Sequence, residues 1–287
     1  MNQMLMIEDK APKGKSDEYW NCYWQGKILD EQEKHEEAVA SFDQALKVCP
    51  DDYWAWYKRS KALHSCGNYE EAVASFDQTL QVRPDDYWTW YNRGCVALDD
   101  LDRFEEACAN FDQALAIRPR DFWALFSRGE ALRHLKRYEE AIANYDRALA
   151  VRGQDFSVWL RRGDVLRLLG RYEEALASYD QALKGEEGEL FWAWYKRGDV
   201  LRYLKRYEDA CVSYSHSLAI KPDDEYAWYN QACCYALLGN QEMAIKSLQE
   251  AINIHPSENK TLARTDPDFR AMRGNKQFQA LLQGGID

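Results

Sequence analysis

At 287 residues with a formal net charge of −11, the chain has the length of one or two globular domains and is too acidic for a dedicated DNA binder or an anionic-membrane surface. Hydrophobic residues make up 46% of it, yet no run approaches the ~18 apolar residues of a membrane span. Eight cysteines stand without a CxxC pair or a regular spacing, so a reduced, cytoplasmic protein is expected and a disulfide framework is not.

Met1 to Lys15 is polar and aperiodic and lacks the apolar stretch of a signal peptide; a flexible tail is expected over residues 1–15. From Ser16, which can cap a first helix, the sequence repeats one statement seven times. A small residue recurs at Gly26, Ser60, Gly94, Gly129, Gly163, Gly198 and Ala232, and an alanine at Ala38, Ala72, Ala107, Ala141, Ala175, Ala210 and Ala244, both stepping by 34 or 35 residues. A period of this size means stacked supersecondary units. Each unit predicts a helix A, a short turn, a helix B and a second turn. Helix A is announced by acidic caps such as Asp51-Asp52, Asp85-Asp86 and Asp223-Asp224, and it stops near Gly67, Gly170 or Gly239. Helix B opens with acidic pairs such as Glu36-Glu37 and Glu173-Glu174, which suit the positive end of a helix dipole. A proline (Pro50, Pro84, Pro119, Pro222, Pro256) closes most units. Two units are one residue longer, and the extra residue is expected in the turns within Asp99–Arg103 and Lys184–Glu189. After Pro256 the pattern stops. Phe269, Met272, Phe278 and Leu281-Leu282 read as the apolar stripe of a cap over residues 257–287.

The repeat resembles the tetratricopeptide family, whose pattern runs W-x2-L-G-x2-Y, A-x3-F, P. Trp56, Trp90, Trp159, Trp194 and Trp228 hold its first position, and Phe42, Phe76, Phe111, Tyr145, Tyr179 and Tyr214 follow their alanines by four. Cys22 and Leu125 depart from the tryptophan, and Arg59, Arg93, Arg128, Arg162 and Arg197 stand where the family favours leucine. The resemblance implies an all-α fold: a right-handed superhelical solenoid of seven helix-turn-helix repeats over residues 16–256, with a C-terminal capping helical segment. It further implies that the concave face binds the partner.

With the small residue of helix A numbered 8, positions 4, 8 and 11 share one face and positions 2, 5, 9, 12 and 13 another, at about 100° per residue. The tryptophan at position 4 is expected to be buried by neighbouring helices. Position 2 reads Trp20, Trp54, Trp88, Trp123, Ser157, Trp192, Tyr226, and position 5 reads Tyr23, Tyr57, Tyr91, Phe126, Leu160, Tyr195, Tyr229. Either these rings pack between helices, or they are exposed anchors for a partner. Position 12 carries Arg133, Arg167 and Arg202, three residues after Glu130, Asp164 and Asp199. That spacing makes a salt-bridge ladder, and equally a stripe that reads acidic side chains.

The expected function is a protein-interaction scaffold that takes a peptide or helical segment, mixing apolar and acidic residues, on a surface made by Trp54, Trp88, Trp123, Phe126, Arg133, Arg167, Trp192, Tyr195, Arg202, Tyr226 and Tyr229. Two alternatives are single-stranded RNA binding by aromatic stacking, which the net charge weighs against, and a regulatory subunit of an enzyme complex. The family subclass that clamps a C-terminal carboxylate needs asparagine at position 9, which here reads Lys27, Lys61, Cys95, Glu130, Asp164, Asp199 and Cys233. The five histidines have no nucleophile at a motif spacing, and neither a phosphate loop nor a metal-ligand motif is present. No enzyme activity, cofactor or metal is expected.

Overall fold

The computed structural model describes residues 15–185 and 190–283, so the expected tail falls outside them except for Lys15, as does most of the turn expected within Lys184–Glu189. Among the described residues the fold is all-α, a succession of helical hairpins in two compact units, Met1–Lys136 and Arg137–Asp287. The first unit holds α1 (Asp17–Glu31), α2 (His35–Val48), α3 (Tyr53–Ser65), α4 (Tyr69–Val82), α5 (Tyr87–Cys95), α6 (Phe104–Ile117) and α7 (Phe122–His134). The second holds α8 (Tyr138–Leu149), α9 (Phe156–Leu168), α10 (Tyr172–Ala182), α11 (Leu190–Tyr203), α12 (Tyr207–Ile220), α13 (Glu225–Leu237), α14 (Gln241–Ile254), α15 (Pro256–Thr265), a 3-10 turn (Pro267–Met272) and α16 (Lys276–Gln283). Odd-numbered helices up to α13 are the A helices of the repeats, and even-numbered ones up to α14 are the B helices.

Local chemistry starts and stops these helices as their sequence suggests. Asp52, Asp86, Asp121, Asp155 and Asp224 each accept the backbone N–H three residues on, and Ser16 does so for α1. Each A helix ends on a left-handed residue, but only three of the seven are glycines. Gly67, Gly170 and Gly239 have φ of 77°, 72° and 76°; Glu33, Asp102, Lys136 and Lys205 take 62°, 53°, 59° and 57° with a Cβ in place.

The extra residue at Asp99–Arg103 is absorbed in the helix as well as the turn. The chain continues from α5 as a π-helical turn over Val96–Asp100, where the Leu101 N–H reaches back to the Val96 carbonyl at 3.1 Å. The Arg103 N–H then bonds the Ala97 carbonyl at 2.7 Å, one residue further than the Asn68-to-Leu63 bond that closes α3.

Position 8 is where each A helix meets its own B helix. A Cβ built at Gly94 would stand 2.7 Å from the Phe111 ring, at Gly163 2.5 Å from Tyr179 and at Gly198 2.7 Å from Tyr214. The rings at those B-helix positions are wholly buried. Close approach of backbone to ring is therefore the reason for the small residue. At the end of the chain, Phe269, Met272, Phe278, Leu281 and Leu282 are buried with Leu248, Ala251 and Ile252 of α14 and Tyr229 and Ala236 of α13.

Position 7 explains the arginines that stand in place of leucine. Arg59 donates from Nε to Asp43 of the preceding B helix (2.6 Å) and reaches Ser75 on its own B helix. Arg197 does the same with Asp180 (2.7 Å) and Ser213 (2.6 Å), and Arg162 with Asp146 and Ser178 at 2.7 Å each. Each guanidinium thus ties three helices together through charge-assisted bonds, and it lies over the position 4 tryptophan ring. In the last repeat Gln231 makes the neutral version, donating to Ser215 and accepting from Ser247.

Candidate interaction surfaces

The tryptophans of position 4 are half-buried, not enclosed as the pattern suggests. Their indole N–H bonds fix them along the helix start: Trp56 donates to the Pro50 carbonyl (2.7 Å), Trp90 to Pro84 (2.7 Å), Trp159 to Gly153 (2.8 Å) and Trp228 to Pro222 (2.9 Å). The donor must stay near that carbonyl at the surface turn, so one edge of the indole keeps its exposure.

The buried rings of the helix start are instead at position 1, which the sequence reading passed over. Tyr19, Tyr53, Tyr87, Phe122 and Phe191 are all buried, and each stacks on the position 5 ring one turn later. The Tyr19 hydroxyl donates to Asp52 at 2.7 Å, and the Tyr53 and Tyr87 hydroxyls bond Asp86 and Asp121. The aspartate that caps one A helix therefore also receives the tyrosine of the repeat before it. Burial and this carboxylate push the Tyr53 and Tyr87 hydroxyls well above the usual phenol range. The signal was legible, since an aromatic recurs at position 1 in six of seven units.

Position 2 rings meet these stacks edge-on, for example Trp54 on Tyr53 (4.9 Å, 76°) and Trp192 on Phe191 (4.9 Å, 69°). In the first unit Trp54 and Trp88 are half-buried and Trp123 is 50% exposed; in the second, Trp192 is 42% and Tyr226 57% exposed. Position 5 lies deeper. Phe126 and Tyr195 are half-buried, Tyr57 is held at a pKa of about 12 mainly by burial, and Tyr229 is buried under Phe269. On this face of the A helices, position 2 supplies the exposed aromatic surface and position 5 its support.

The position 12 arginines face internal carboxylates. Arg133 donates to Glu130 at 3.0 Å, and Arg167 lies by Tyr179, Asp164 and Asp199 with its Nε unpartnered. Arg202 donates to Asp268 of the 3-10 turn at 2.9 Å. In that same turn Asp266 accepts from the Tyr229 hydroxyl at 3.0 Å. Cys233, Asp266 and Asp268 bring their ligand atoms within 4.8 Å of one another. Arg202 already occupies Asp268, however, and the Tyr229 hydroxyl occupies Asp266, so both carboxylates have protein partners.

The histidines serve contacts of other kinds. His35 and His64 bond Asp30 and Asp100 at 2.9 Å each, His134 stacks on Phe104, and His216 stacks on Trp194. Cys66 shares a shallow hollow with His35, but burial and the nearby Glu36 and Asp30 raise its pKa, the opposite of what a thiolate nucleophile needs. No helix among the described residues is long and apolar enough to cross a membrane.

Sequence profiles described as Tetratricopeptide repeat match residues 23–87, 91–154 and 137–189, and two further profiles of the same description match 193–224 and 225–258. Solved structures of similar fold include MamA from Desulfovibrio magneticus RS-1 (19% identity, TM-score 0.57, 60% of this chain and 96% of that one). YrrB, described as a TPR protein with an unusual peptide-binding site, matches at 23% identity and TM-score 0.57 over 63% of this chain and 93% of its own. PilW, a type IV pilus biogenesis factor, matches at 22% and 0.57 over 72% and 95%. Comparison with curated proteins finds no significant sequence match.

Proposed function

Because the chain belongs to the tetratricopeptide repeat family, we propose that it is a protein-interaction scaffold whose A helices hold a peptide or helical segment of a partner on the face bearing positions 2, 5, 9 and 12. The observation that carries this is the exposure of large rings at position 2, Trp123, Trp192 and Tyr226, on helices whose position 5 rings are half-buried or buried. Indole and phenol groups held rigid by neighbours lose little conformational freedom on binding, which suits them as anchors. In the second unit Leu168 and Tyr203 at position 13 extend the exposed apolar surface beside Arg167 and Arg202. Arg167 and Arg202 face internal carboxylates, so the apolar part of the expected partner segment is what this surface fits. Proteins retained from a cell extract by wild-type protein, and lost when Trp192 and Tyr226 are changed to Ala, would support this reading. An identical set retained by both proteins would remove the second unit's rings from the site.

A further inference from the structure

We infer that the face of α1, α3 and α5 is the docking site for an acidic segment of a partner protein, held by Lys27, Lys61, Arg83 and Arg118. The inference rests on the scaffold reading above and gives it a place and a ligand chemistry.

Four observations converge on this face. First, Arg83 lies over the Tyr53 ring at 4.0 Å and the Trp54 ring at 5.8 Å, and Arg118 over Tyr87 at 4.2 Å and Trp88 at 5.3 Å. Lys27 stands 4.9 Å over Trp24, which is 39% exposed. Second, among the described residues none of these four cations has an ion pair, whereas the position 7 arginines and the three of position 12 all face carboxylates. A paired cation offers a partner little net field; one held only against a ring keeps its charge and most of its donors.

Third, positions 2 and 9 lie on nearly one line of an A helix, seven residues and ~10 Å apart at 1.5 Å per residue. The arginine rim at the helix starts and the lysines at position 9 are thus about three extended residues apart. A partner segment with a carboxylate at each end and an apolar residue between them would meet both rows of cations and rest on the tryptophans. Fourth, the chain as a whole carries −11, so these cations form a local exception and not part of a general basic surface. A single-stranded nucleic acid is the less suitable occupant. The Trp54 and Trp88 rings are half-buried, each beside a tyrosine edge and under one guanidinium group, so an apolar side chain can rest on the part left open while a whole base has less ring face to stack on.

The test is to pan a displayed library of random dodecapeptides on the full chain, synthesise the enriched peptides with a fluorescein label, and measure their affinities by anisotropy. Peptides with two or more carboxylates flanking an apolar residue should be enriched. Their affinity should fall at least about tenfold in the Lys27→Gln, Lys61→Gln, Arg83→Gln, Arg118→Gln protein, and fall with salt in the wild type. Arg83→Lys with Arg118→Lys should keep most of the binding, which guards against a folding defect in the quadruple variant. Enriched peptides without acidic bias, or unchanged affinity in a folded quadruple variant, would overturn the inference. Binding that instead disappears with Trp192→Ala and Tyr226→Ala would leave the scaffold reading standing and remove this site. Enrichment of no peptide at all would sink both. A labelled oligouridine bound by wild type and released by the quadruple variant would reassign the surface to phosphate.

Discussion

Trp192 and Trp194 stand two residues apart in α11 and have opposite surroundings. Trp194 is half-buried, stacked on His216 at 4.3 Å and crossed by Arg197, while Trp192 is 42% exposed. Trp194→Ala should cost about 2–3 kcal/mol in chemical denaturation and Trp192→Ala under about 1 kcal/mol. Equal losses would refute this division of the two faces. Asp199, also on α11, accepts from the Tyr214 hydroxyl at 2.7 Å, yet burial outweighs Arg202, Arg167 and Lys196 and holds its carboxyl above the usual range. Its folded pKa exceeds the unfolded value, so its stabilising contribution is complete below the unfolded pKa and is lost as pH rises through the folded one. Asp199→Asn removes that titration and keeps an acceptor for Tyr214. Its thermal midpoint relative to wild type should therefore climb as pH rises above the ordinary carboxylate range.

At the scale of elements, the hairpins depend on two backbone conditions. One is a left-handed residue after each A helix, and at Lys205 a side chain occupies it at φ 57°. Lys205→Gly should relieve about 1–2 kcal/mol of strain and lose part of that to the greater freedom of glycine in the unfolded chain. A net gain of about 0.5–1 kcal/mol is expected from denaturant titration. The other condition is the close approach at position 8. In Gly198→Ala the new methyl would meet the Tyr214 ring at 2.7 Å, so the ring or the helix must shift. A loss of about 1–2 kcal/mol is expected in spite of the better helix propensity of alanine.

For the molecule as a whole, each unit is a series of nearest-neighbour contacts, so an uncovered terminal repeat is where fraying begins. The segment after α14 covers the apolar residues of α13 and α14 and fastens to α11 through Arg202 and Asp268. Deleting residues 266–287 would uncover Tyr229, Leu248 and Ile252. Lower stability and concentration-dependent association should follow, measured by melting and light scattering. Arg202→Glu should loosen the same segment by facing Asp268 and Asp266 with a third carboxylate, and Asp268→Lys in that background should restore it. If the charge swap fails to rescue, the ion pair is incidental to the segment's docking.

The period, the helical hairpins, the acidic caps and the small residue at position 8 were all legible in the chain itself. Each depends on residues within one repeat, and seven copies reinforce a local signal that a single copy would leave ambiguous. The deeper rings at position 1 were legible too, but the tryptophan of the family pattern drew the burial assignment away from them. What packing alone decided is which charges remain available. Arg59, Arg83 and Arg202 are the same residue type, yet Arg59 is neutralised by Asp43, Arg202 by Asp268, and Arg83 lies only against aromatic rings. The Arg59–Asp43 spacing of 16 recurs with the repeat, at Arg162–Asp146 for example, whereas Asp268 lies 66 residues from Arg202, past the last repeat, where no period reaches. An ion pair depends on a few ångströms between side-chain ends, and only the stacking of one repeat on the next sets that distance.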